Sequence, residues 1–435
     1  MKRLFTTFLC LTLAMAFILS GCGKKEAASS EEKKADSSGT TITMMNIKAE
    51  INDQVLALAS KYESETGVHV EVITSGPSVD AQAMLKGYYL SDQMPDIVAC
   101  EAAGFSNWEG LLVDMSDQAW AAKTSGAYVD PEYGTIGFPY TTEAIGLAYN
   151  ADILSKCGVD PNSITGPDSM RAAFEAVQAR KDELGLYAVV DCVVEPENLG
   201  WSAGNHIFGT YIDSGLDRDD TTYIDQIAEN KQVDPSRFEH FAEMVSLLYQ
   251  YSNPETLTTG TYDDEVGGFA AGKYAFVTQG SWIGASMTSS EDYKAAGSFE
   301  VGMVPYAFEE GMNTILTSAP SWWGVAKEGN VEAAEAFLEW VASDAGQKIL
   351  VEDAGCVSPF TDCKYVAADP FAPVLSSYIA EGRTSDWHWM KLPSGIGNGD
   401  GGLCYCFYRY AIGETDSAGF QADINQTLAA WYAKQ

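Results

Sequence analysis

The residues of this chain best suited to chemistry are aromatic rings, carboxylates and amides. Trp282 sits in Gly280-Ser281-Trp282, Trp201 and Asn205 share ENLGWSAGNHIFG, and Glu143 follows Tyr140 in FPYTTE. Glu101 comes directly after MPDIVAC, and Trp322 opens WWGV. An indole has a flat apolar face and a polar edge. A carboxylate accepts hydrogen bonds from two adjacent hydroxyls, and an amide both donates and accepts. Such groups can hold a small polar molecule, and two carboxylates at a set separation can also cleave a glycosidic bond. Each also has a plainer reading: a tryptophan packed in a core, or an acid that is solvated or ion-paired.

Reactive constellations are missing. The histidines, 69, 206, 240 and 388, are scattered, and neither H-E-x-x-H nor G-x-S-x-G occurs. Nothing offers an activated nucleophile. GNGDGG (397–402) matches G-x-G-x-x-G by letter but follows no clear strand, so it reads as a flexible loop and not a dinucleotide site. The acids at 217–220 lack the glycine and glutamate of a calcium loop, Thr222 and Ala228 standing in those places. Cys404 and Cys406 have no second cysteine pair for zinc. No cofactor and no metal is implied. Asp263 and Asp264 read as surface acids, Arg409 as half of a structural ion pair, and Trp387 and Trp389 as one face of a strand or a loop edge.

The first forty residues bear on where these groups work. Lys2 and Arg3 precede an apolar run to Leu19, shorter than the about 20 residues a spanning helix needs. This pattern fits a secretory leader. LSGC (19–22) resembles the lipobox of bacterial lipoproteins, which implies cleavage after residue 21 and acylation of Cys22. Residues 22–40 are rich in Lys, Glu, Ser and Ala with no apolar periodicity, and read as a flexible stalk. No later stretch is apolar enough to span a bilayer. The formal net charge of −35 repels nucleic acid. Beyond Cys10 and Cys22 lie seven cysteines, an odd number; Cys356 and Cys363 are spaced to close a small loop in an oxidising compartment.

The remaining chain is long enough for two domains. Residues 41–47 read as a strand, and 52–64 as a helix with Val55, Leu58, Ala59 and Tyr62 on one face. Asn52 or Asp53 would cap its start and Gly67 its exit. Val68, Val70 and Val72 alternate as a second strand, so the opening is β-α-β and predicts a parallel sheet. A further strand begins at Pro95. Helices are expected over 168–184 and 234–251, then from an Asn330 cap with Ala334, Phe337, Leu338 and Val341 inward, and from a Ser343 cap to 350. Pro/Gly-rich breaks fall near 158–167, 195–205, 252–268 and 393–402. Strand–helix alternation throughout predicts an α/β protein of two lobes. Ligands of open α/β sheets bind beyond the carboxyl ends of strands, where Glu101 stands.

Five stretches, in order, resemble one family: MPDIVACEAAGFSNWEGLLVDMSD (94–117), GTIGFPYTTEAIGLAYNADILSKCGVDP (134–161), FAAGKYAFVTQGSW (269–282), WWGVAKEGNVEAAEAFLEWVASDAGQKIL (322–350) and DINQTLAAWY (423–432). Together they resemble family 1 extracellular solute-binding proteins, the capture components of ABC importers, often for sugars. The resemblance implies a type II periplasmic-binding-protein-like fold, two lobes joined by hinge strands around a cleft. The implied lobes are 41–145 with 322–357, and 146–321 with 358–435. Crossings are implied near 143–146, near 321–323 and just after Gly355. Trp282 then aligns with the tryptophan that faces bound sugar. Tyr140 and Glu143 fall at the first hinge, Trp322 at the second, and Trp201 with Asn205 where the second lobe often carries an aromatic.

The implied function is capture of a sugar or oligosaccharide by a lipid-tethered monomer and delivery to permease subunits, without catalysis. Two rivals stay open: the same fold holding a polyamine or other small cation between acids and aromatics, and a surface glycoside hydrolase with two carboxylates at a set separation.

Overall fold

The structure is a computed structural model that describes residues 39–76 and 79–434. The leader, Cys22 and nearly all of the expected stalk lie outside them. Among the described residues no helix is long and apolar enough to cross a membrane.

Local patterning lays down the first sheet. Strand β1 (Thr41–Asn46) buries Ile42, Met44 and Met45. The helix Asn52–Thr66 buries Val55, Leu58, Ala59 and Tyr62, the face its spacing predicts, and stops at Gly67 with φ 77°. Its start differs from expectation. A 3-10 turn, Ala49–Ile51, runs straight into it, so neither Asn52 nor Asp53 caps. Asn52 instead accepts a bond from the Thr74 hydroxyl at 2.7 Å, tying the helix to the next strand. Strands β2 (His69–Thr74) and β3 (Ile97–Cys100) flank β1, both parallel to it. Strands β4 (Tyr128–Asp130) and β5 (Gly134–Pro139) form an antiparallel pair.

The chain then leaves through β6 (Glu143–Ile145). A second sheet follows, of β7 (Leu147–Asn150), β8 (Val190–Asp191), β9 (Phe276–Val277) and β10 (Val301–Val304), in the order β10-β7-β9-β8. Strand β11 (Ile315–Ser318) runs antiparallel to β6, and β12 (Trp322–Val325) re-enters the first sheet between β3 and β5. The first sheet is therefore β2-β1-β3-β12-β5-β4. Only its opening is parallel; β12 is antiparallel to both neighbours because it returns from the other lobe. Strand β13 (Thr384–Ser385) adds to β11. A third link, an antiparallel bridge between Thr142 and Val357, lies beside β6. The fold is α/β and two-lobed, with hinge strands between the sheets.

Helices close both lobes. Val331–Val341 buries Ala334, Phe337, Leu338 and Val341, and Phe337 meets Tyr62 at 5.0 Å between ring centroids. Asn330 and Ser343 occupy their cap positions without side-chain capping bonds. The Asn330 N–H donates to Asp96 (2.6 Å), and the Ser343 hydroxyl donates back to the Trp340 carbonyl (2.6 Å). Beyond Ser343 the α turn Asp344–Lys348 passes into a π turn, Ile349–Asp353. The single helix expected over 168–184 is two, Pro167–Gln178 and Lys181–Leu184. Pro235–Gln250 starts at the Asp234 cap. Phe238, Phe241, Phe407 and Phe420, all fully buried, join this helix to Leu403–Ala411 and Ser417–Tyr432. CYCFYRY is thus helical, and its Arg409 pairs with Asp423 at 2.9 Å.

Two loop expectations change. GNGDGG is packed rather than loose: Gly397 lies so close to the chain at 204–205 that a Cβ on it would meet Asn205 Oδ1 at 1.6 Å. Of the break at 195–205, the second half is a π turn, Ser202–Ile207. The seven cysteines from Cys100 onward, Cys356 and Cys363 among them, carry free thiols.

Candidate functional site

Trp282 is set by its neighbours in sequence. Its ring folds back over Gly280, where an added Cβ would lie 2.0 Å from the indole and 2.4 Å from the Ala144 carbonyl. Only glycine allows that approach. Ser281 then locks the segment to β6: its N–H donates to the Ala144 carbonyl and its hydroxyl accepts from the Ala144 N–H, both at 2.9 Å. Trp282 is thereby fixed one residue from Glu143, half-buried, at the head of the helix Ile283–Ser289.

The π turn supplies a facing wall. Its i→i+5 hydrogen bonds bring residue i+5 beside residue i. His206 meets Trp201 edge-to-face at 5.2 Å between centroids. Trp282 lies 6.0 Å from Trp201 and 4.7 Å from His206. Tyr262 meets Trp201 at 5.9 Å, and Trp387 and Trp389 close on His206 at 5.9 and 5.5 Å. Burial, with help from the Lys48 charge, lowers the His206 pKa to about 3, so the ring is neutral at physiological pH. Its Nδ1 is buried with no partner among the described residues. The wall is aromatic and uncharged, its rings meeting edge-to-face or tilted.

A polar floor adjoins it. Lys48, just past the carboxyl end of β1, meets Glu143 at 2.6 Å and Glu50 at 2.7 Å. Burial alone would lower the Lys48 pKa, but the two carboxylates hold it well above the usual range. Burial likewise pushes the Glu143 carboxyl up, and the Lys48 ammonium pulls it back. Asp369 lines the same hollow with Thr141, Ser281 and Cys356, and burial raises its carboxyl to about 7. Glu101 stands at the carboxyl end of β3, open to solvent yet walled closely enough that desolvation lifts it to about 7.

The structure therefore brings Trp282, Trp201 and Glu143 together. Asn205 shares the π turn, half-buried, its carboxamide pressed against Gly397. Glu101 joins only through the field of Lys48. Tyr140 and Trp322 are buried, Tyr140 within the field of Lys48 and Glu143. Tyr140 has no exposed surface; it stacks on Trp323 at 4.3 Å and shares a 2.5 Å hydrogen bond with Ser321. Trp322 is 5 % exposed, donates to the Gly126 carbonyl at 2.6 Å and packs on Tyr128. Both belong to the first-lobe core behind the hinge, because β5 and β12 are interior strands of their sheet. Lys48, His206, Tyr262, Asp369 and the pair at 387 and 389 were not chosen from sequence. The strand-end rule that picks out Glu101 applies equally to Lys48. His206 needed the π turn, since α-helical spacing pairs Trp201 with Asn205 instead.

The family model for bacterial extracellular solute-binding proteins matches residues 57–373. The melibiose/raffinose/stachyose-binding protein MelE of Bacillus subtilis is 23% identical over 430 residues, covering 91% of this chain and 89% of its own. RafE in complex with raffinose superposes with a TM-score of 0.72 at 17% identity, covering 89% of this chain and 98% of that one. A sugar transporter protein from Bacillus licheniformis in complex with stachyose gives 0.67 at 17% identity over 89% and 98%. With two lobes, hinge strands and an aromatic cluster set on one of them, the chain belongs to the bacterial extracellular solute-binding protein family.

Proposed function

We propose that the protein captures a sugar or oligosaccharide between its lobes and presents it to the permease of an ABC importer, tethered to the membrane through Cys22. The observation that carries this reading is the neutral wall of Trp201, His206 and Trp282 beside the Lys48–Glu143 floor. Pyranose rings have apolar C–H faces that cover indoles and hydroxyl edges that bond to carboxylates, ammonium groups and amides. In this reading Trp282, Glu143, Trp201, Asn205 and Glu101 touch solute, while Tyr140 and Trp322 brace the first lobe behind the hinge. The lobes are 41–145 with 322–357, and 146–321 with 358–435, and they close about β6 and the β11–β12 return. The relative named for melibiose, raffinose and stachyose, and the neighbours holding raffinose and stachyose, support an oligosaccharide of that kind.

Lys48 weighs against a polyamine only by already occupying Glu143 and Glu50, the carboxylates a cation would need. Glu143, held by Lys48, is a poor candidate for the free general acid of a glycosidase. The test is calorimetry across melibiose, raffinose, stachyose, maltose, chitin oligosaccharides and spermidine. One sugar should bind with little dependence on salt and raise the melting temperature. If spermidine alone binds, and weakens as salt rises, the sugar reading fails.

A further inference from the structure

We infer that Gln279 is a positioning residue for the aromatic site: one buried amide, gripped by Glu265, fixes Trp282 and the π turn against each other. The inference rests on the reading of that wall as the solute site. Gln279 is 1 % exposed and reaches no solvent, so it touches no ligand. Its carboxamide oxygen accepts the Trp282 indole N–H at 3.0 Å. Its nitrogen donates to Glu265 at 2.8 Å and to the Ser202 hydroxyl at 3.2 Å. Ser202 is the first residue of the π turn that carries Asn205 and His206, and it follows Trp201 directly.

The orientation of the amide is forced. An indole N–H only donates, so the amide oxygen must face Trp282, and the NH₂ group must then face Glu265 and Ser202. Glu265 is fully buried on the helix Tyr262–Ala270 and also accepts the Thr278 hydroxyl at 3.0 Å. Its two carboxyl oxygens each accept one of these bonds and so hold the amide in register. Tyr262 opens that same helix and meets Trp201, so the helix braces the wall twice. The bonds to Glu265 and Ser202 are buried where water cannot replace them, and removing one partner leaves the other unsatisfied. Rotation of Trp282 and of the π turn is therefore coupled through one side chain.

The test pairs Gln279→Leu with the exchange of the two side chains, Glu265→Gln with Gln279→Glu. Leucine keeps the volume and removes every bond. The exchange keeps the partners: Gln at 265 donates to Glu at 279, which still accepts from Trp282, while the Ser202 hydroxyl, an acceptor in the wild type, turns to donate to it. Amide hydrogen exchange of the ligand-free protein reads the coupling. Gln279→Leu should lose protection over 201–207 and 279–283 together, and the double variant should restore both. Raffinose titration should show about tenfold weaker binding in Gln279→Leu, the equivalent of about 1.4 kcal/mol, with recovery in the double variant. Unchanged protection at 201–207 in a folded Gln279→Leu protein would overturn the inference, as would a folded double variant that restores nothing. Trp282→Ala separates the two ideas: undiminished sugar binding there would remove the site reading, while the exchange data still judge the coupling.

Discussion

At the scale of single residues, the site depends on groups that neutralise one another. Glu143 is 6 % exposed and Lys48 closes on it at 2.6 Å. A carboxylate so placed tolerates burial only while its partner remains. Lys48→Met should therefore destabilise the fold by about 3 kcal/mol, read as a lower urea midpoint at unchanged slope. Adding Glu143→Gln should recover most of that loss, since the amide carries no charge to strand. Equal destabilisation in the single and double variants would mean that the pair packs rather than neutralises. Trp282 and Glu143 were legible in the sequence because local punctuation marks them: a glycine that lets a ring fold back, and a Pro-Tyr turn ahead of an acid. Tyr140 carries the same punctuation yet is buried, because covering an interior strand on both faces is decided by β12, almost two hundred residues away. Lys48 gives no local signal; a lysine after a strand is ordinary until its two acids are seen.

At the scale of elements, periodicity was readable and exceptions to it were not. The buried faces of Asn52–Thr66 and Val331–Val341 follow from 3.6-residue spacing alone. The π turn does not, because its five-residue repeat is imposed from outside. The packed loop 396–402 meets it on one side: the Gly397 carbonyl lies where a Cβ on Gly204 would sit, at 1.9 Å. On another side the helix Leu403–Ala411 brings Cys404 Sγ to within 3.0 Å of the corresponding point at Gly200. Three glycines thus make a seat that a glycine-rich sequence disguised as a loose loop. Gly397→Ala should push Asn205 and the turn away. Stability should fall by about 1–3 kcal/mol as for other overpacked sites, with weaker sugar binding alongside. Gly87→Ala is the control. It is helical with nothing within 4 Å, so it should raise stability by about 0.5–1 kcal/mol and leave binding alone. Thermal melts and titrations of the two variants decide whether the seat or glycine loss in general is responsible.

At the scale of the whole molecule, strand and helix order was legible because it is local, while the return of β12 between β3 and β5 was not. Acids are also buried where elements distant in sequence meet, as Asp213 is against His388. Desolvation raises Asp213 to about 6 and Asp369 to about 7, and it raises the neighbouring carboxyls of Glu265 and Asp191 further, Asp191 also through the charge of Glu265. Each lies above the value of about 4 expected in the unfolded chain. Between those limits the folded protein binds more protons than the unfolded one, so stability must fall as pH rises. The contribution is complete below about pH 4 and is lost progressively as pH passes each folded value. The net charge of −35 acts in the same direction, because deprotonation adds to self-repulsion. One variant separates the two. Asp191 is 2 % exposed and its Oδ2 has no partner among the described residues, so Asp191→Asn removes one buried titration while changing a charge of −35 by one unit. Urea unfolding at intervals from pH 5 to 9 should show wild-type stability falling, and Asp191→Asn should remove up to about 1.4 kcal/mol per pH unit from that slope. A slope unchanged by the substitution would take Asp191 out of the pH dependence and leave it to the other buried acids and to surface repulsion. A stability that rises with pH would mean that the buried acids are ionised in the folded protein, and that cations such as Lys48 reach further into it than their contacts indicate.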